Sequence, residues 1–384
     1  MNIGIVGTFV SKFGELWEKS LEDLLIESTQ GVIENAQIQP KAIDAIYIGN
    51  MLSGALGNQD NVGSFVADSL SLFVPSIRVE AACASGGIAV HTAIQALLAG
   101  TYKTVLVLGA EKMTDHLQDE VSTVLMGAGG ENERLSGTTF AGLYALLARY
   151  YMEQYGVSSE DLAAVSVNNH YHGSLNPKAQ FRSPITVEDV MKSTNIADPL
   201  HLLDCSPISD GAAAVLLTTD EALLKKRKKR VNIIASEIAT DTLEILDRKS
   251  LTSLSATVVA AEKAYKKTGL GPQDIDVAEV HDCFSIAQVL AIEDLGFSKR
   301  GRAVFDTMQK KYTVGVGKQV INSSGGLKAC GHPVGATGVK QIVELVTQLR
   351  EEAGDRQVVN ANIGLAQNVA GSGSTAVIHI VKKL

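Results

Sequence analysis

Cysteine is scarce in this 384-residue sequence, and its four cysteines include no CxxC pair. Their wide spacing argues against a disulfide scaffold and predicts free thiols in a reducing compartment. Without paired thiols or another ligand cluster, a zinc site is not expected, and we predict no bound metal. The thiols are therefore candidates for chemistry or for packing; they are Cys83, Cys205, Cys283 and Cys330.

Positive charge is also in the minority. Lys and Arg number 34 against 42 Asp and Glu, so the formal charge is −8, whereas a nucleic-acid-binding domain normally has a basic excess. No stretch approaches the roughly 18–20 apolar residues of a transmembrane helix, and the first residues lack the features of a signal peptide. We therefore expect a cytoplasmic protein that binds neither nucleic acid nor membrane.

The sequence does contain 45% hydrophobic residues, over a length that suits two domains or one large α/β body. Strand and helix patterns alternate near both ends of the chain, which predicts parallel sheets with helices on both faces. Predicted strands cover residues 3–7, 43–49, 77–80, 104–109, 212–217, 275–280, 320–322 and 358–363. Predicted helices cover residues 21–36, 85–98, 256–267 and 338–349.

The two ends of the chain also repeat each other. The letters QPKAID at 39–44 precede a predicted strand, as do GPQDID at 271–276. Each half then continues with a strand, a small-residue loop and a long helix, around Cys83 in one half and around His332 in the other. The repeat predicts a pseudo-twofold molecule in which two helix N-termini face one site.

Residues 112–200 interrupt the alternation and are rich in polar residues, glycine and histidine. An insertion of this length in an α/β body is more often a functional lobe or lid than a connector. The dense basic run at 225–230 is interpreted as the solvated end of a helix, with phosphate contact or localisation as the alternative.

Cys83 lies between a predicted strand and a predicted helix. The partial positive charge of a helix N-terminus favours a thiolate, and the cysteine's own N–H can help to hold an oxyanion. Its small neighbours would let a bulky substrate approach. A buried structural cysteine is the alternative, but the position favours a nucleophile.

Two other segments carry reactive groups. His332 lies in the glycine-rich turn GHPVGATG at 331–338, where a neutral imidazole near a thiol would take its proton; a turn histidine bonded to backbone is the alternative. His281 and Cys283 follow a predicted strand, at the end of a sheet where ligands bind, and suit proton transfer, although a structural role is equally open. Cys205 and Cys330 are interpreted as structural.

Three segments together resemble the thiolase family: VEAACASGG at 79–87, HDCF at 281–284 and NSSGGLKACGHPVGATG at 322–338. They occur in the family's order, and the similarity extends through the whole chain. The sequence is most similar to the branch of archaeal-type acetyl-CoA acetyltransferases and sterol-carrier-protein type thiolases, which carry HDCF where other thiolases carry an NEAF-like segment.

The resemblance implies a five-layered αβαβα fold of two similar βαβαβαββ halves with an inserted loop domain that binds CoA. On this basis the first half comprises residues 1–112 and 201–245. The inserted domain comprises residues 113–200, and the second half comprises residues 246–384.

The resemblance also implies roles for individual residues. Cys83 would be the nucleophile that becomes acylated, and His332 would activate it and later help to hold an oxyanion. Cys283 would handle the α-carbon proton of the second acyl-CoA, with His281 in the oxyanion hole beside it. The backbone N–H groups of Cys83 and Gly371 would form a second oxyanion hole. The side chains of Lys178 and Arg182 would bind the phosphates of CoA.

One segment departs from the family pattern. Many thiolases place a second catalytic cysteine in a CxGxG segment near the C-terminus, whereas this chain has QNVAGSGS at 367–374 and no cysteine after Cys330. Cys283 is the expected substitute.

The implied activity is that of an acetyl-CoA C-acetyltransferase, which condenses two acetyl-CoA molecules to acetoacetyl-CoA and CoA or runs the reverse thiolysis. CoA would be a substrate, with no metal or redox cofactor required. The alternatives are a thiolase for longer or branched 3-ketoacyl-CoAs, and a subunit that serves as scaffold or acyl carrier. A homodimer or homotetramer is expected, as is association with hydroxymethylglutaryl-CoA synthase and a zinc-ribbon/OB-fold protein.

Overall fold

The structure is a computed structural model that describes residues 3–384. Its strands are β1 (Ile3–Val10), β2 (Ala45–Gly49), β3 (Ser76–Val79), β4 (Thr104–Glu111), β5 (Asn195–Ala197), β6 (Leu200–His201), β7 (Gly211–Thr218), β8 (Val231–Thr240), β9 (Val277–Glu279), β10 (Val320–Ile321), β11 (Ile363–Ala370) and β12 (Thr375–Lys383). Its helices are α1 (Leu21–Ala36), α2 (Val62–Ser69), α3 (Ser85–Leu98), α4 (Gln118–Leu125), α5 (Glu131–Leu135), α6 (Phe140–Tyr155), α7 (Ser159–Ser174), α8 (Val187–Lys192), α9 (Glu221–Leu224), α10 (Ser255–Thr268), α11 (Ser285–Asp294), α12 (Ala303–Met308), α13 (Gly326–Cys330) and α14 (Val334–Leu349).

The sheet topology contains the predicted repeat. Ten strands are hydrogen-bonded in the order β10-β9-β11-β12-β8-β1-β7-β4-β2-β3. From the centre outward, β1-β7-β4-β2-β3 in the first half corresponds to β8-β12-β11-β9-β10 in the second. The halves join through two residue pairs of β1 and β8. β8 lies within the 201–245 segment assigned to the first half, yet it pairs along its length with β12, so the repeat places it with the second half.

Alternate strand residues face opposite layers, as the period of two in a β-strand requires. The five strands of each half form one sheet, called the first and the second sheet. The inward residues of both sheets pack on α3 and α14, which form the middle layer. Outward residues of the first sheet pack on α1 and α2. Those of the second pack on α10 and α11, and also on α6 and α7 of the insertion. The molecule thus has the five layers that the resemblance implies.

The QPKAID and GPQDID segments fold alike. Each contains a short 3₁₀ turn, over Pro40–Ala42 and Pro272–Asp274, that leads into a parallel strand. Asp44 accepts hydrogen bonds of 2.8 and 2.9 Å from the backbone N–H groups that lead into β4. Asp276 accepts equivalent bonds of 2.8 and 2.9 Å where β11 begins. The repeated aspartate therefore secures the start of the neighbouring strand in each half.

Two expectations from the sequence need comment. The strand predicted at 358–363 is wrong, because the Val358 N–H donates to the Gln348 side chain instead of to a neighbouring strand, and β11 begins only at Ile363. The basic run at 225–230 directly follows α9, as the helix-end interpretation expects, and Lys229 pairs with Glu351 at 2.8 Å. Within residues 3–384, no helix combines the length and apolarity needed to cross a membrane.

Candidate active site

Cys83 lies in a tight turn between β3 and α3. The residue before it, Ala82, has a φ of 48°, in the left-handed region that is costly for a residue with a Cβ. The Ser85 hydroxyl holds this turn: it accepts from the Ala81 N–H at 2.9 Å and donates to the Ala82 carbonyl at 2.6 Å. The strained backbone presents the thiol ahead of the helix rather than within it.

The glycines near Cys83 have a different role from the one expected. A Cβ on Gly86 would lie 2.5 Å from the carbonyl oxygen of Gly335, and one on Gly338 would lie 2.1 Å from the backbone nitrogen of Gly87. These glycines therefore let the N-terminal ends of α3 and α14 touch. The contact brings the Cys83 turn and the His332 turn together.

Three predicted site residues converge at this contact. A thiol sulfur and two ring nitrogens, from Cys83, His281 and His332, lie within 4.8 Å of one another. The imidazoles of His281 and His332 meet edge to face, with ring centroids 5.0 Å apart. Both Nε2 atoms are buried and lack a hydrogen-bond partner among the described residues. Two halves of the chain thus supply one cluster.

The tautomer of His332 follows from its neighbour Thr337. The Thr337 hydroxyl donates to the Pro333 carbonyl at 3.0 Å and lies 2.7 Å from His332 Nδ1. Because the hydroxyl proton is already used, the ring must donate from Nδ1. In neutral His332, Nε2 is therefore left with a lone pair and can accept a proton from a thiol.

His281 has the opposite arrangement, which Asn368 determines. The Asn368 Oδ1 accepts from the Gly87 N–H at 3.1 Å, which identifies the other end of the amide as the donor. That Nδ2 donates to the Cys83 carbonyl at 3.0 Å and faces His281 Nδ1 at 3.2 Å. Nδ1 of neutral His281 must accept, so Nε2 carries the proton and can donate to a developing oxyanion.

Burial controls the charge of all three groups. Desolvation lowers the pKa of His281 to about 3, and it holds the pKa of His332 well below its usual value, with help from His281. Both rings are therefore neutral near pH 7. Burial also raises the pKa of the Cys83 thiol to about 12, although hydrogen bonds from the N–H groups of Gly371 and Cys83 itself oppose this. The thiol thus needs a base, and His332 is the one in reach.

Cys283 lines the same cavity as Cys83, and Tyr144 of α6 lies near both thiols. The Tyr144 hydroxyl donates to the Gly371 carbonyl oxygen at 3.1 Å and lies close enough to the Cys283 thiol to influence its pKa. The Tyr144 ring stacks on Phe284 with centroids 4.7 Å apart. Burial raises the pKa of Cys283 well above that of a free thiol, with the nearby Cys83 adding to the shift. This thiol is protonated at rest.

Glu111, at the end of β4, holds the backbone of two segments that lie beside the cluster. Its carboxylate accepts from the N–H groups of Met51 and Leu52 at 3.0 and 2.9 Å and from that of Gly335 at 2.9 Å. It thereby ties the first sheet to the start of α14. Burial raises its pKa to about 7.

A cavity of about 470 Å³ opens onto the cluster. Cys83, Cys283 and His332 lie at its wall. The rest is mainly apolar and comes from the insertion and the segment that follows it; it includes Leu125, Phe140, Phe181, Ile196, Leu202 and Ile208. The predicted functional lobe and the segment at 202–208 that follows it therefore together build most of the chamber onto which Cys83, Cys283 and His332 face.

Other residues named from the sequence lie elsewhere. Lys178 lies over the Phe9 ring, with its Nζ 5.9 Å from the centroid, and neither it nor the exposed Arg182 lines the cavity. Cys205, interpreted as structural, does line the cavity, whereas Cys330 is buried near Asn176. The CoA-binding assignment of Lys178 and Arg182 stays a prediction.

Sequence reasoning missed Asn368, Thr337 and Tyr144. Asn368 lies near the end of β11, where two adjacent buried polar residues, Gln367 and Asn368, interrupt an apolar strand. That interruption was the available signal. Thr337 lies inside the GHPVGATG motif, whereas nothing in the letters around Tyr144 distinguishes it from a core aromatic.

The duplicated five-layer fold, with thiols and histidines gathered where its two halves meet, is that of an acyltransferase of the thiolase class. Comparison with known families agrees: the thiolase N-terminal domain matches residues 3–221, and a thiolase C-terminal domain-like model matches residues 238–383. The chain belongs to the thiolase family, and the predicted family is confirmed.

Curated relatives cover the full chain. It is 47% identical to an acetyl-CoA acetyltransferase of Methanothermobacter thermautotrophicus, over all of both chains. It is 44% identical to one of Methanocaldococcus jannaschii, over 99% of this chain and 98% of the relative. Human sterol carrier protein 2 is 35% identical over 98% of this chain and 71% of its own length. These are the two groups expected from the HDCF segment.

Solved structures agree with the fold. An Ltp2–ChsH2(DUF35) aldolase matches with a TM-score of 0.85 at 24% identity, covering 98% of this chain and 97% of that chain. An acetyl-CoA acetyltransferase from Syntrophomonas wolfei matches with a TM-score of 0.75 at 21% identity, covering 99% and 98%. The predicted thiolase-like fold is confirmed.

Proposed function

We propose that this protein is an acetyl-CoA C-acetyltransferase that joins two acetyl-CoA molecules through an acetyl-cysteine. The observation that carries the proposal is the cluster of Cys83, a proton-accepting His332 and a proton-donating His281, with Cys283 facing it across the cavity. The names of the two archaeal relatives support the acetyl substrate.

The first half-reaction forms the acetyl-enzyme. His332 Nε2 takes the Cys83 proton, and the thiolate attacks the thioester carbonyl of acetyl-CoA. The N–H groups of Cys83 and Gly371 lie beside the sulfur and suit the oxyanion that forms there. The carbon–sulfur bond to CoA then breaks, and the leaving thiolate takes the proton of Cys283. A thiol whose pKa is raised by burial leaves a strongly basic thiolate behind.

The second half-reaction forms the carbon–carbon bond. The Cys283 thiolate removes a proton from the methyl carbon of a second acetyl-CoA, while His281 Nε2–H and the now protonated His332 donate to the thioester oxygen. The carbanion attacks acetyl-Cys83, and the bond to Cys83 breaks. Cys83 recovers its proton from His332, so two acetyl-CoA give acetoacetyl-CoA and CoA with the enzyme unchanged.

Acetyl labelling tests the proposal directly. Incubation with acetyl-CoA should add one acetyl group to the peptide that contains Cys83, and Cys83→Ala should lose both this mass shift and acetoacetyl-CoA thiolysis. Cys330→Ala, which removes a thiol outside the cavity, is the matched control. Full thiolysis by Cys83→Ala would refute the nucleophile assignment.

A chain-length series separates the acetoacetyl assignment from the alternative of longer or branched substrates. We expect thiolysis to be fastest with acetoacetyl-CoA, and a sharp rise with longer 3-ketoacyl-CoAs would contradict the acetyl assignment. The scaffold alternative predicts no turnover with any chain length. The complete set of reactive groups favours the enzyme.

Assembly belongs to the proposal as well. β3 lies at the edge of the ten-strand order, and Ile77 on it is 48% exposed, which favours pairing of two copies in a homodimer. Light scattering of the purified chain would measure whether it is a dimer, and Ile77→Lys, which alters the proposed interface, should reduce the measured mass to that of a monomer. Association with a hydroxymethylglutaryl-CoA synthase and a zinc-ribbon/OB-fold protein stays a prediction, which co-expression and co-purification would test.

A further inference from the structure

The reactive cluster has a second chemical capacity that acyl transfer does not use. One thiol and two imidazoles are ligands that zinc prefers, and catalytic zinc sites often combine three such ligands with one open position. The ligand atoms of Cys83, His281 and His332 lie within 4.8 Å of one another, and both histidine Nε2 atoms have no partner in the part of the chain that is described. These unpartnered nitrogens are an observation independent of the spacing.

The ring geometry matches a shared metal. Two imidazoles on one tetrahedral zinc, with Zn–N distances of about 2.0–2.1 Å, have centroids roughly 5 Å apart. The His281 and His332 centroids are 5.0 Å apart and the rings are nearly perpendicular, at 83°. In a zinc site the three ligand atoms would lie roughly 3.3–3.6 Å from one another, so binding would draw them together from their present separations of up to 4.8 Å.

We infer that Cys83, His281 and His332 form a reversible inhibitory site for a soft divalent cation such as Zn²⁺, with the fourth position open to the cavity. Zinc binding would form one Zn–S and two Zn–N bonds, and the thiol proton would leave to the buffer. The nucleophile and its base would then both be occupied, so acetylation of Cys83 and zinc binding would exclude each other. The inhibitory consequence rests on the proposed function; the binding does not.

Asn368 gives the site a distinctive signature. Its Nδ2 donates to His281 Nδ1 and so keeps the ring proton on Nε2. Zinc binding at Nε2 requires that proton to move to Nδ1. There the ring N–H would face the N–H group of Asn368, so two donors would oppose each other. Asn368→Asp would place an acceptor at Nδ1 and favour the metal-binding tautomer. This variant should therefore bind zinc more tightly while it transfers acetyl groups more slowly.

Zinc binding to the full chain tests the inference without any acyl transfer. We expect one zinc per chain, a weakening of at least about tenfold in Cys83→Ala and His281→Ala, and a tightening in Asn368→Asp. His116→Ala is the matched control, because it removes an exposed histidine that pairs with Glu120 at 3.2 Å and would hold only a surface ion. Mg²⁺, which prefers oxygen ligands, should not compete.

A measurement on the unaltered protein covers the case in which a variant fails to fold. Zinc should protect Cys83 from alkylation by iodoacetamide, detected by peptide mass, and a chelator should reverse both the protection and the inhibition of thiolysis. Zinc binding that survives in Cys83→Ala and His281→Ala, or alkylation of Cys83 that zinc does not slow, would overturn the inference. Protection without thiolase activity would refute the proposed function alone.

Discussion

Asn368 Nδ2 lies 3.2 Å from His281 Nδ1 and 3.0 Å from the carbonyl oxygen of Cys83. One amide thus contacts the backbone of Cys83 and determines which nitrogen of His281 carries a proton. The same amide accepts from Gly87 at the start of α3, so its orientation is determined. The opposite tautomers of His281 and His332 follow from this contact and from that of Thr337.

The Asn368 contact predicts a positioning role. In Asn368→Ala, His281 is free to place its proton on Nδ1, and we expect kcat to fall about ten- to hundredfold, the loss of one buried hydrogen bond. Nitrogen-15 spectra of histidine-labelled protein should show a changed tautomer for one ring. Asn362→Ala, an exposed asparagine before β11, is the control, and an unchanged kcat in Asn368→Ala would contradict the role.

Thr337 should act on the other histidine. Thr337→Val removes the acceptor for His332 Nδ1–H, and we expect about a tenfold or greater fall in acetyl-enzyme formation because Nε2 no longer reliably presents its lone pair. Alkylation of Cys83 by iodoacetamide should slow in parallel. Thr337→Ser keeps the hydroxyl and should restore most of both rates. If valine and serine behave alike, packing rather than the hydrogen bond explains the effect.

Cys283 should be needed for only one half-reaction. Cys283→Ala is expected to form some acetyl-Cys83 with acetyl-CoA but to lose condensation by at least about a hundredfold, since general acid–base catalysis is typically worth 10²–10⁴. Peptide mass measures the first step, and acetoacetyl-CoA formation measures the second. Cys205→Ala removes another cavity thiol and should leave condensation largely intact. Unchanged condensation in Cys283→Ala would assign the base to another residue.

The contact between α3 and α14 should be intolerant of any side chain at Gly338. A Cβ there would meet Gly87 N at 2.1 Å and Asn368 Oδ1 at 2.3 Å. We expect Gly338→Ala to destabilise the fold by about 1–3 kcal/mol through overpacking and to impair acetylation, both measured on one preparation. Gly127→Ala, where an added Cβ has no atom within 4 Å, should be neutral. Equal stability of the two variants would show that the helices can separate without cost.

Stability should fall as the pH falls from 7.5 to 5. Burial lowers the pKa of several histidines, to about 4 for His172 and about 3 for His379, so below pH 6.5 the unfolded chain binds protons that the folded chain does not. Each such histidine removes up to about 2 kcal/mol of unfolding free energy at pH 5. Glu111, whose pKa is raised to about 7, opposes the trend because it holds a proton in the folded state.

Urea unfolding at the two pH values measures the net effect. The group of buried histidines outweighs Glu111, so the unfolding free energy should be lower at pH 5. His379→Gln should reduce the difference between the two pH values, because its ring no longer titrates in the unfolded chain. A protein equally stable at both pH values, or more stable at pH 5, would contradict this balance.

Local patterns in the sequence were sufficient to predict the alternating strands and helices and the repeat of QPKAID and GPQDID. They also identified the candidate reactive residues, which are Cys83, His281, Cys283 and His332. Apolar periodicity and turn residues determine structure over only a few neighbouring positions. The segments that they form have similar sequences in both halves of the chain. The strand predicted at 358–363 is wrong for the same reason, since the apolar run there carries no sign of the hydrogen bond from Val358 to the distant Gln348 side chain.

Only the tertiary structure decided how these candidates work together. Asn368 and Cys83 are 285 positions apart, and Tyr144 and Gly371 are 227 apart, so no local pattern links them. Packing of α3 against α14 brings the Cys83 thiol to the His332 ring, and the segment after β9 brings the His281 ring to both. Burial then sets their pKa values, and the hydrogen bonds of Asn368 and Thr337 set the tautomers. The sequence by itself determined which groups can react; their protonation and mutual geometry exist only in the assembled core.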